Sequence, residues 1–112
     1  MVEKQISKAT QEKLAELQLL QQRLALFSAQ KQQFQLQLAE VENALAELAK
    51  AKPPIYKLVG ELLIEKKPDE LKKELEERKT ELDIRVKSLD KQESKTKESA
   101  LELQKEISAE LK

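Results

Sequence analysis

The sequence predicts a fold dominated by α-helix: a long antiparallel two-helix coiled coil with one short central β-hairpin. Three observations carry this. Two long arms contain neither Gly nor Pro. Apolar residues in both arms recur at alternating steps of three and four. That period breaks once, at Ile55–Ile64, a run that holds the only glycine, Gly60, and lies between Pro53-Pro54 and Pro68.

Composition supports the same class and excludes others. Charged residues make up 38% of the 112 and aromatics 3%, too polar and too poor in large side chains for a compact globule. Such a composition with heptad spacing belongs to long helices. Disorder is the other reading of so polar a chain, and the regular apolar spacing argues against it. The formal net charge is zero and no basic block stands out, so nucleic-acid binding has no electrostatic support. There is no Cys and no His, which removes disulfides, Cys/His metal sites and the parts of a catalytic triad. No cofactor and no enzymatic activity are expected. No signal-peptide pattern and no apolar run of roughly 18 residues is present, so the expectation is a cytoplasmic protein without membrane contact.

The first arm reads as one helix over residues 3–51. Its seam is Leu17, Leu20, Leu24, Phe27, Lys31, Phe34, Leu38, Val41, Leu45 and Leu48, a heptad repeat with one polar member, Lys31. At 1.5 Å per residue such a helix is roughly 70 Å long and needs a partner helix. Extending the frame backward gives Lys13, Thr10 and Ile6, a poor seam, so this end is expected to fray or splay.

Pro53 and Pro54 stop the first helix. The hairpin is expected over residues 55–66, with Gly60-Glu61 as a tight turn at positive φ. Alternation leaves both of its faces largely apolar. A bare two-stranded hairpin of that kind is marginal in water and prone to pair at its edges. Pairing with hairpins of other subunits follows. The alternative is a helical corner whose apolar residues cap the coiled coil.

The second arm reads as a helix over residues 69–111, opened by Pro68-Asp69. Its seam is Leu75, Lys79, Leu82, Val86, Leu89, Glu93, Thr96, Ala100, Leu103 and Ile107. The pairs Glu74–Arg78, Glu81–Arg85, Asp83–Lys87 and Glu93–Lys97 have i,i+4 spacing on a solvated face. Two antiparallel registers fit the connector. One sets Leu45 by Leu75 and Leu17 by Leu103; the other sets Leu45 by Leu82 and Phe27 by Ala100. Both bring Lys31 near Glu93, as a pair that fixes register or as two long side chains that each reach solvent.

The string IYKLVGELLIEKKPDELKKELEERKTEL resembles the β-class subunits of archaeal-type prefoldin. The resemblance rests on Tyr56, Lys57, Val59, Gly60, Leu63 and Ile64, on the Gln-rich first helix and on arms of near-equal length, and it spans the whole chain as a single domain, residues 1–112. It implies a hexamer of two α-type and four β-type subunits. In it the hairpin joins an intersubunit β-barrel and six coiled coils hang from the barrel. It also implies an ATP-independent chaperone that holds unfolded client proteins at the distal tips and delivers them to a group II chaperonin.

On this reading the oligomerisation residues are Ile55, Tyr56, Leu58, Val59, Gly60, Leu62, Leu63 and Ile64. The client-binding tips are Val2, Ile6, Leu103, Ile107 and Leu111, with Leu19, Leu26 and Leu101 extending the surface inward from off the seam. These leucines have a second reading as scattered surface residues. The competing function is a structural coiled coil, a self-assembling filament or tether without client delivery.

Overall fold

The computed structural model describes residues 6–111. Four elements follow in order: α1 (Lys8–Lys50), β1 (Ile55–Val59), β2 (Leu62–Lys66) and α2 (Pro68–Glu110). The strands pair antiparallel as a two-stranded sheet. The two-helix and hairpin architecture is therefore the one the apolar spacing predicts.

The first helix starts later than expected from residue 3, because Ser7 caps it. Its hydroxyl accepts the Thr10 N–H at 3.1 Å, and its carbonyl accepts the Gln11 N–H at 3.0 Å. An N-cap residue has non-helical backbone, so Ile6 and Ser7 lie outside the helix. At the other end the chain leaves α1 at Lys50, just before the cis Pro53–Pro54 pair. In α2, Asp69 and Glu70 sit in the first turn, where the helix dipole favours them.

The chain divides into two units. In the unit spanning Gln32–Lys87, the hairpin follows one end of the helix pair and Leu82 is the fully buried side chain. Lys79 of α2 pairs with Glu42 of α1 at 3.8 Å. Arg78 donates to Gln37 Oε1 at 2.9 Å, and the Arg85 guanidinium lies 5.5 Å from the centre of the Phe34 ring. Arg78 also reaches Glu81, which bonds Arg85 as its spacing predicts. The predicted Glu74–Arg78 pair does not form, because Glu74 is taken by two lysines of the hairpin.

In the other unit, Leu89, Ala100, Leu103 and Ile107 of α2 are buried. On α1, the shielded positions there are Thr10, Lys13, Leu17, Leu20, Leu24, Phe27 and Lys31, with Ser28 beside them. The heptad frame therefore continues through Lys13 and Thr10. Thr10 lies by Glu110, the outward continuation of the register that sets Leu17 by Leu103. Lys31–Asp90, and Glu42–Lys79 in the first unit, fall within one residue of the same register. The alternative register would set Lys31 opposite Thr96.

Candidate functional site

The hairpin is the most exposed apolar surface of its unit. Val59 pairs with Leu62 across a two-residue turn. Gly60 has φ +61° and, among the described residues, no non-glycine residue, Glu61 included, has positive φ, so the turn is of the II′ kind, which takes Gly at its first position. The register is Ile55↔Lys66, Tyr56↔Glu65, Lys57↔Ile64 and Leu58↔Leu63. Side chains alternate along each strand. One face thus carries Tyr56, Leu58, Leu63 and Glu65; the other carries Ile55, Lys57, Val59, Leu62, Ile64 and Lys66.

Of the predicted oligomerisation residues only Ile55 is half-buried. Tyr56, Leu58, Val59, Leu62, Leu63 and Ile64 are exposed, Leu62 and Leu63 to 68% and 69%. Both faces are open and both carry large apolar side chains. Lys57 and Lys66, on one face, converge on the Glu74 carboxylate of α2 at 3.0 and 3.4 Å. Their hydrogen bonds, Lys57 first, hold the Glu74 carboxyl below its ordinary range. Glu74 thereby ties both strands to the second helix through one face. No sequence signal pointed to this role, since it depends on where the hairpin turns back.

Lys31 and Glu93 meet in the seam of the other unit. Lys31 Nζ lies 3.3 Å from Glu93 Oε2 and 3.0 Å from Asp90 Oδ1, and Lys97 reaches Glu93 Oε1 at 3.1 Å. Asp90 and Glu93 raise the Lys31 pKa, while Lys97 and then Lys31 lower that of Glu93. Asp90 was missed by seam reading because it lies beside the a/d positions rather than on them.

At the helix ends the structure sorts the predicted tip residues into two groups. Ile6, Leu19, Leu26, Leu101 and Leu111 are exposed. Leu103 and Ile107 are buried, at 8% and 6% exposure. Val2 lies outside the described residues. The expected splaying is thus corrected, and its reason is polar. Thr10, 3% exposed, donates to Glu110 Oε2 at 2.6 Å, and Lys13 pairs with Glu110 and, at 3.6 Å, with Glu106. Thr10 and Lys13 looked like a weak seam because their own side chains are polar. Their partner on α2, about a hundred residues away in sequence, satisfies them. Leu14, Leu36 and Ile84 are further exposed apolar residues not singled out by spacing.

Among the described residues, no acidic or other ligand cluster could hold a metal ion, and no helix is long and apolar enough to cross a membrane.

The family model described as prefoldin subunit matches residues 11–112. The prefoldin subunit beta of Archaeoglobus fulgidus is 40% identical over 96 residues, covering 84% of this chain and 83% of its own. That of Thermoplasma volcanium is 37% identical over 112 residues, covering 96% and 89%. The crystal structure of the prefoldin beta subunit from Thermococcus strain KS-1 matches with a TM-score of 0.86 at 34% identity, over 96% of each chain.

Proposed function

The chain belongs to the prefoldin family as a β-class subunit, a family of chaperone subunits rather than enzymes that assemble with other prefoldin subunits, and from that premise we propose that it is one of four β-type subunits in an α2β4 hexamer. The hexamer holds unfolded proteins in the cytoplasm without ATP and delivers them to a group II chaperonin.

The observation that carries this reading is the hairpin. It offers apolar side chains to solvent on both faces and has two unpaired edges. In a barrel of hairpins from several subunits, neighbouring strands take up the open edges and the apolar faces are covered. Tyr56, Leu58, Val59, Leu62, Leu63 and Ile64 then form the assembly surface, and Gly60 supplies the turn. Clients bind at the tips. Ile6, Leu111 and the off-seam Leu19, Leu26 and Leu101 supply apolar contacts there. Single contacts of this kind are weak, and several arms acting on one client chain raise the overall affinity. Lys31 with Glu93 fixes the register of the pair.

The test is co-expression with a two-hairpin α-type subunit. The expected result is a complex with the mass of a hexamer that suppresses aggregation of a diluted, denatured protein without ATP. An open-ended polymer of this chain alone, inert toward the denatured protein, would point instead to the filament or tether.

A further inference from the structure

Each helix end in the Thr10–Glu110 cluster lacks a charge that the other helix provides. α1 has no acidic residue in its first turn and α2 has no basic residue in its last. Glu110 by itself sits badly, since a carboxylate at a helix C-terminus faces the negative end of the dipole. Across the pair it becomes the acid that the first turn of α1 is missing, and Lys13 becomes the base that the last turn of α2 is missing.

The hydrogens can be followed one by one. The Thr10 hydroxyl has one proton and gives it to Glu110. The Ser7 hydroxyl, 2.8 Å from Thr10 Oγ1, therefore donates to Thr10 while accepting the Thr10 N–H. The N-cap of α1 is thus wired through one buried hydroxyl to the last residue of α2.

One and two turns back from Glu110 lie Ile107 and Leu103, both buried. The register sets Leu17 opposite Leu103 but Lys13 opposite Ile107. The last layer therefore lacks a leucine on α1 and is held by polar bonds that compete with water and are screened by salt. Leu14, one turn on from Thr10 on α1, is exposed at this end of the pair.

We propose that Ser7, Thr10, Lys13 and Glu110 form a clasp over a latent apolar surface, Leu103 with Ile107, which an unfolded polypeptide occupies when the clasp opens. The inference rests on the holding function proposed above and adds a gate to it. The closed clasp hides the two largest apolar side chains of the distal seam of α2 until a client segment competes for them.

The test uses the assembled hexamer carrying Thr10→Val or Glu110→Ala, with Lys13→Met as a milder variant that leaves the Thr10–Glu110 bond. Amide hydrogen exchange over residues 100–110 should rise by about tenfold in the first two, with exchange over the hairpin unchanged. Reduced, carboxymethylated α-lactalbumin, followed by fluorescence anisotropy, should bind severalfold tighter. Unchanged exchange over 100–110 would overturn the clasp. Faster exchange with equal or weaker binding would overturn the latent surface. A wild-type hexamer that holds no α-lactalbumin at all would overturn the holding function instead, and the exchange result judges the clasp by itself.

Discussion

Gly60 and Leu82 show two different ways in which one residue holds this structure. Gly60 needs a positive φ, and nothing lies within 4 Å of where a Cβ would stand. A Gly60→Ala change therefore costs backbone strain rather than a clash, about 1–2 kcal/mol. The loss should appear as a lower thermal midpoint of the assembly with helicity unchanged below it. Leu82 is fully buried in the seam, and Leu82→Ala should destabilise the helix pair by about 2–5 kcal/mol in denaturant unfolding. Lys31 and Glu93 differ again, because each has a second partner, Asp90 and Lys97. A double-mutant cycle with Lys31→Leu and Glu93→Leu isolates the pair itself. If the pair fixes register, the double variant is less destabilised than the two singles combined. Strict additivity would leave the two side chains as independent occupants of the seam.

At the scale of elements, one carboxylate, Glu74, ties both strands of the hairpin to α2, and large apolar side chains on both hairpin faces stay exposed. Substituting Glu at Val59 or Leu63 should leave the arms helical by circular dichroism and dissociate the oligomer in native mass measurement. Hexamers that survived both changes would remove the hairpin from the assembly interface. The helix pair carries a pH dependence whose sign follows from its ion pairs. Glu74, Glu93 and Glu110 are held below their ordinary values, by Lys57 and Lys66, by Lys97 and Lys31, and by Lys13 and Thr10 respectively. Their contribution is complete above the unfolded carboxylate pKa of about 4.3 and is lost as pH falls through the folded values. Lys13 and Lys31 are raised, by Glu110 and by Asp90 with Glu93, so their contribution is complete below about 10.4 and is lost as pH rises further. The thermal midpoint should therefore be level between about pH 6 and 9 and fall on both sides. Replacing the three glutamates by glutamine should flatten the acid limb while lowering the plateau.

For the whole molecule, the proposed function puts assembly at the hairpin and client holding at the far ends of the helices. Removing residues 1–10 and 103–112 should abolish aggregation suppression and spare the hexamer, read by mass and by light scattering of a denatured protein. Retained suppression would move client binding away from the tips. Much of the fold beneath this proposal was legible beforehand. The heptad steps named the seam residues from Leu17 to Leu48, and Gly60 between prolines marked the hairpin, because each signal lies within a few residues of chain. The closure of the helix ends was not legible. Thr10 and Lys13 are poor seam residues by type, and only Glu110 opposite them makes them good ones.

By itself, then, the sequence determined the two helices, the turn, the exposed apolar hairpin and the family. Helical period, proline and a lone glycine act locally and do not depend on what the chain later meets. Tertiary structure alone decided the register, the capture of Glu74 by Lys57 and Lys66, and the burial of Leu103 and Ile107. Each of these depends on which charged side chain of one element arrives opposite which of another. Charged residues are so abundant here that local spacing offers several partners for each, and only the packed arrangement selects among them.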